Sequence, residues 1–164
     1  FENVTKSFDQ FSIGGKDLLS SMFIHSHKHY ITSEYRIADV DGVRALGLQQ
    51  FVGQAGTQVH FTFNEAYSVL KPDETITTRI VYRFDGTGNG ATCMERRNDR
   101  KMKNGRWLLT PTDGQWRTLE FPFIRPATDD PWELIINAGN GETEPRAEGI
   151  IWIKSIEVKY ADAK

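Results

Sequence analysis

A single cysteine, Cys93, stands among 164 residues. No internal disulfide framework can form, so stability has to come from a packed core. Long apolar runs are missing too. Nothing approaches the roughly 20 consecutive apolar residues of a membrane-spanning helix. The first residues, FENVTKSFDQ, lack the basic-then-apolar order of a secretory leader. There is no surplus of cations either: 20 Lys and Arg face 22 Asp and Glu, leaving a formal charge of −2. That balance excludes nucleic acid as a partner of the whole chain on bulk electrostatics. Finally, no long stretch repeats apolar residues at helical spacing.

What is present is strand patterning. With 38% hydrophobic and 26% charged residues the chain has the balance of a folded domain. In TITTRIVYRF (75–84), Ile76, Thr78, Ile80, Tyr82 and Phe84 alternate with Thr77, Arg79, Val81 and Arg83. QVHFTF alternates as well, with Val59, Phe61 and Phe63 on one side and His60 and Thr62 on the other. SEYRI, RALGLQQF, ATCMERR, RWLLTP, TLEFPF, WELIINAG and IIWIKSIEVKY complete the series, divided by ADVDG, VGQAGT, LKPDE, DGTGNG, TDGQ and GNGETEPRAEG. DGTGNG is expected to close a hairpin. About nine or ten strands at this spacing predict an all-β, two-sheet antiparallel sandwich. Crossover helices for a parallel sheet are missing. The one helical candidate is GKDLLSSMF (15–23). Residues 1–164 are expected to form a single module excised from a larger multidomain protein, because Phe1 reads as though it began mid-strand.

The order VLKPDETITTRIVYRF, DGQWRTLEFPF, WELIINAGN and GIIWIKSIEVKY resembles the galactose-binding-like jelly rolls among carbohydrate-binding modules, of the kind in families four, nine and twenty-two. ALGLQQ resembles their early strand. The resemblance covers most of residues 34–160 by pattern rather than by a rare motif. It implies a jelly roll with one concave sheet, and a non-catalytic module that holds an attached glycan-active enzyme near polysaccharide. It implies a secreted or cell-surface setting, with the catalytic domain of the same polypeptide as the other partner. In many such modules an N-terminal Glu and an Asp of the closing strand hold a structural calcium. Here Glu2 stands in FEN, but Lys154 and Ser155 occupy the closing-strand position. An ammonium beside calcium is repulsive.

Sugar binding uses aromatic rings on pyranose faces, with charged and amide groups hydrogen-bonding hydroxyls or carboxylates. On that expectation Arg79 and Arg83 face away from the core, Arg96 adds to them from the neighbouring strand, and Trp107 offers a stacking ring near a loop at one edge. Glu120 and Asn137 point outward from the strands that turn Leu119, Phe121, Phe123, Trp132, Leu134 and Ile136 inward. The competing account pairs the arginines with acids and buries Trp116, Trp132 and Trp152. ERRNDRKMKNGR (95–106), with six cations against two acids, reads as a hydrated loop that could meet an anionic polysaccharide. DDPWELIINAGNGETEPRAE (129–148) carries the opposite bias, six acids against one cation.

An enzyme is the weaker reading. No E-x-D-x-x-E run supplies a glycosidase carboxylate pair. SEYR (33–36) and QVH (58–60) faintly resemble two motifs of jelly-roll alginate lyases, but the third is missing. A structural or protein-interaction sandwich is the remaining alternative. Cys93 sits in an alternating strand without a neighbouring base and reads as a buried filler. IHSHKHY (24–30) puts His25, His27 and His29 at alternate positions, about 6.6–7 Å apart on one strand face. Zinc can bridge one such pair but not easily three in a row. His60 is the only other histidine. The segment is expected to be a surface or edge strand.

Overall fold

Every described element is a strand, as the alternating patterns require. The structure, a computed structural model, describes residues 4–7, 23–26, 34–50, 57–62, 75–96, 99–124, 132–138 and 147–160. In chain order the strands are β1 (Val4–Ser7), β2 (Phe23–Ser26), β3 (Glu34–Val40), β4 (Val43–Gln50), β5 (Thr57–Thr62), β6 (Thr75–Thr87), β7 (Gly90–Arg96), β8 (Asp99–Leu109), β9 (Arg117–Ile124), β10 (Trp132–Ala138) and β11 (Glu148–Tyr160). They form two sheets. The larger has the order β3-β4-β11-β6-β9, with β1 also paired to β11; the smaller has the order β2-β5-β10-β7-β8. Every pairing is antiparallel. The expected two-sheet sandwich is therefore what forms. Residues 15–22 of the helical candidate lie outside the described residues, and its last residue, Phe23, opens β2.

The core lies between the sheets. On β6 the side facing it carries Thr78, Ile80, Tyr82 and Phe84, all buried, while Arg79, Val81 and Arg83 are half-buried on the opposite side. This is the alternation that the sequence predicts. β11 shows how parity is kept. Ile151 and Ile153 are two residues apart and both buried, but the next buried residue, Ile156, follows three later. A strict alternation would turn Ile156 outward. A bulge between Ile153 and Ser155 takes up Lys154 as the extra residue and restores the inward face. The two sheets are joined at one side by their edge strands, where the Trp107 ring of β8 stacks on Phe121 of β9 with centroids 4.0 Å apart and planes at 18°.

Two segments differ from their sequence reading. DGTGNG does not close a hairpin. Asp85, Gly86 and Thr87 continue β6 against Gly149 and its neighbours on β11, and the chain then passes to β7 in the other sheet. Two short turns in a jelly roll look alike in sequence whether they reverse the chain or carry it across the core. Most of the basic stretch is strand rather than loop: residues 95–96 end β7 and residues 99–106 lie on β8, while 97–98 lie outside the described residues. Register sets each acid position opposite a cation position, Glu95 with Lys103 and Arg96 with Asp99. By contrast, the Asp-Gly of ADVDG forms the tight turn its dipeptide predicts. Asp41 (φ 51°) and Gly42 (φ 77°) both have positive φ, as a two-residue hairpin of type I′ requires.

Gly47 on β4 marks a close approach. It is the register partner of Trp152, and a Cβ built on it stands 2.5 Å from Cζ3 and 2.8 Å from Cε3 of that indole. Trp152 is only 7% exposed, so its ring has little room to move. A Gly47→Ala variant is expected to lose about 1–3 kcal/mol, the usual cost of overpacking. Urea denaturation followed by tryptophan fluorescence measures it. A Trp152→Leu background should recover part of the loss, because the overlap is with the ring.

Candidate functional site

The outward side of the larger sheet combines half-buried residues of β6 with exposed residues of β9. It is built by the same alternation that fills the core: β6 contributes Thr77, Arg79, Val81, Arg83 and Asp85, and β9 contributes Thr118, Glu120 and Pro122, all three exposed. Register sets their neighbours. Arg79 lies opposite Glu120 on β9 and opposite Glu157 on β11, so a carboxylate position flanks it on each side. Three of the six residues expected to touch a glycan, Arg79, Arg83 and Glu120, share this face.

Arg83 is held firmly. Its Nε donates to Asp85 Oδ1 at 2.8 Å, and its Nη1 donates to Asp41 Oδ2. Asp41 belongs to the β3–β4 turn, although β11 separates β4 from β6 in the sheet. The hairpin tip therefore reaches across β11, at the place where Trp152 sits between Gly47 and Arg83. This accounts for a tryptophan buried on the outward parity of β11 rather than between the sheets. A second Asp-Gly turn comes to the same arginine. Thr112 pins it to β6: its N–H donates to Phe84 O at 3.1 Å, and its Oγ1 accepts from Phe84 N at 3.0 Å. β9 has paired with β6 only as far as Tyr82, so these bonds satisfy the backbone that follows. Gly114 of that turn then lies beside the guanidinium, its built Cβ 3.8 Å from Arg83 Nη2. The hydrogen bond to Asp85, and next the one to Asp41, raise the Arg83 pKa above its ordinary value. A raised value keeps the group charged until pH climbs through it, far above working conditions, so Arg83 is a permanent cation here.

The other three expected residues lie on the smaller sheet. Arg96 ends β7, Trp107 lies on β8 and Asn137 on β10. The fold does not bring them to Arg79. Trp107 is not in a loop. It is an inward residue of an edge strand, with one ring face taken by Phe121. Gly105 (φ 70°) underlies the same ring: a Cβ there would stand 1.9 Å from its Cη2. Gly105 lies within the bulge between Thr92 and Met94 that β7 and β8 share. The sequence signal for this role was Gly-x-Trp at a strand interior, where the missing side chain makes room for the ring. Glu2 lies outside the described residues. The closing strand places Lys154 at its bulge and Ser155 after it, and an ammonium is no calcium ligand.

The smaller sheet is closed over its middle. Leu134, Ile135 and Ile136 are each 0% exposed, so both faces of β10 are buried. Cys93, the register partner of Ile135 on β7, is a buried thiol in no disulfide, as the sequence suggests. The two lyase-like segments do not share a sheet: Glu34 to Arg36 lie on β3 of the larger, and Gln58 to His60 on β5 of the smaller.

Two substitutions separate fastening from framework. Asp41→Asn removes a largely exposed ion pair and is expected to change unfolding free energy by no more than about 1 kcal/mol. Trp107→Ala opens a cavity against a buried phenyl ring and should cost about 3–5 kcal/mol, while Trp107→Phe retains most of that. Chemical denaturation of the three variants measures both.

No family model matches the sequence, and no curated protein matches it. Solved structures do. The chain is similar in fold to the CBM22-2 xylan-binding domain from Paenibacillus barcinonensis Xyn10C, with TM-score 0.60 and 13% identity over 96% of this chain and 99% of that one. It is also similar to a CBM4 module, with TM-score 0.56 and 15% identity over 88% and 92%. A third likeness is to the CBM22-1–GH10 modules of Clostridium thermocellum Xyn10B complexed with xylohexaose, with TM-score 0.58 and 8% identity over 89% of this chain and 28% of that one. The chain shares the β-sandwich architecture of these carbohydrate-binding modules.

Proposed function

We propose that the chain is a non-catalytic carbohydrate-binding module that takes a neutral polysaccharide of the xylan class on the outward face of its larger sheet. The observation that carries this reading is the strip formed by half-buried Arg79 with exposed Glu120 opposite it on the paired strands β6 and β9. Alternating guanidinium and carboxylate groups suit the hydroxyls of an uncharged sugar, which both donate and accept. The same pattern disfavours an anionic chain: Arg79 is flanked by Glu120 and Glu157, and Arg83 is held by Asp41 and Asp85. Two of the similar sandwiches are a xylan-binding domain and a module complexed with xylohexaose, which supports the class. Attachment to a glycan-active catalytic domain, and secretion with it, belong to the same proposal.

A protein-interaction sandwich is favoured by one fact, the internal pairing of Arg83. Affinity electrophoresis separates the two. Retardation by xylan or another neutral β-glycan, without release of reducing ends, is the expected result. Arg79→Ala and Glu120→Ala should each weaken it at least tenfold, the effect of removing a charged hydrogen-bonding group. Asn137→Ala, on the other sheet, should leave it unchanged. No retardation on any neutral or acidic glycan overturns the proposal; loss in Asn137→Ala alone moves the groove to the smaller sheet.

A further inference from the structure

Two of the four histidines, far apart in sequence, are brought together by strand pairing. β2 pairs with β5 in the register Phe23↔Thr62, Ile24↔Phe61, His25↔His60, Ser26↔Val59. His25 and His60 are thus directly opposite each other on adjacent strands. They share one face of the smaller sheet by parity, the face that carries Ile135 and Cys93 further along the same row. Ile136 and Thr92 stand one residue off, in the row of Trp107, which faces the core. The histidine row is therefore on the side of the smaller sheet turned away from the larger one. Among the described strands β2 is the outermost of that sheet, so the pair stands toward its rim rather than at its centre.

We infer that His25 and His60 form a binding site for a divalent transition-metal cation. Directly opposed positions on antiparallel strands have Cβ atoms about 4.5–5.5 Å apart. Two imidazoles starting from that separation can place one nitrogen each about 2.0–2.1 Å from a common cation. Neighbours two apart along a single strand start about 6.6–7 Å from one another and converge less easily. The cross-strand pair is therefore the better chelate than the sequential His25, His27, His29 run. Imidazole ligands select copper(II), nickel(II) and zinc(II) over calcium and magnesium, and copper(II) binds tightest in that series. Two protein ligands leave coordination positions for water or for a further donor. The ligating form is neutral imidazole, so binding weakens as pH falls through the histidine range. This inference is independent of the glycan reading, which concerns the other sheet.

Isothermal titration of the tag-free protein with zinc chloride, copper(II) chloride and calcium chloride tests it. One equivalent of zinc or copper should bind at pH 7.5, with at least tenfold weaker binding at pH 5.5, and calcium should not compete. His60→Gln and His25→Gln should each weaken zinc at least tenfold, with circular dichroism confirming an intact fold. A second measurement needs no variant: zinc should protect the His25 and His60 peptides of the unaltered protein from diethylpyrocarbonate. Zinc binding that is unchanged in His60→Gln, protection confined to peptides other than these two, or no saturable binding below about 1 mM overturns the inference.

Discussion

The pairing of β6 with β11 is the constraint on which the rest depends. Both strands run 13 residues, and they stay in register from Ile76↔Tyr160 to Thr87↔Glu148 with one interruption. That interruption is the bulge at Lys154. Without it, every residue of β11 beyond Ile153 would face the wrong way, because a shift of one residue exchanges the two sides of a strand. Ile156 would leave the core, and Glu157 would leave the outward row it shares with Arg79. One inserted residue therefore fixes both the inner packing and the charge pattern of the outer face. β9, β4 and β1 then add to this pair, and the arginines of β6 inherit their neighbours from it.

The outward face shows how cations can be displayed without making it basic. A guanidinium on a half-buried strand position must be hydrogen-bonded or solvated, and carboxylates in register supply bonds at little entropic cost when the strands are already fixed. Arg83 uses this fully. It ties β6 to the β3–β4 tip, and the turn after Thr112 lies beside it; both are Asp-Gly turns that the sequence marks clearly. Their convergence on one guanidinium is a product of topology alone, since residues 41, 83 and 113 are remote in the chain. Two arginines of one strand thus have different neighbours: Arg83 is held by Asp41 and Asp85, and half-buried Arg79 lies in register between Glu120 and Glu157.

Much of this was legible in the residues, and the reasons for success and failure are physical. Side-chain alternation is local, so the inward and outward sets of β6 and β9 could be read directly, as could Leu134 and Ile136 on β10. A type I′ turn depends on two residues, so Asp41-Gly42 was legible as well. Sheet membership is not local. Nothing in DGTGNG distinguishes a reversal from a passage to the other sheet. Nothing in Arg79, Arg96 and Asn137 shows that they end on different sheets. The basic stretch 95–106 differs for a related reason: composition reports charge but not register, and Glu95 comes opposite Lys103 only once β7 and β8 pair. The sequence reading sets Trp107 near a loop at one edge, whereas it lies within β8 against Phe121. Its neighbour Gly105 instead vacates the space the indole fills.

The histidines make the same point in its sharpest form. Spacing within IHSHKHY draws attention to ligands that follow one another, yet chelation depends on distance in space. On a strand the nearest same-face neighbour in sequence is two residues away, while the nearest across the ladder is closer. A strand ladder is therefore a better place to assemble two ligands than the strand itself. The partner it chooses for His25 is set by the register of β2 on β5, in turn held by β5 on β10. Because β10 is buried on both faces, its position is tightly specified, and through β5 it dictates which residue faces His25. A residue at the rim of one sheet is thus placed by packing at the centre of it.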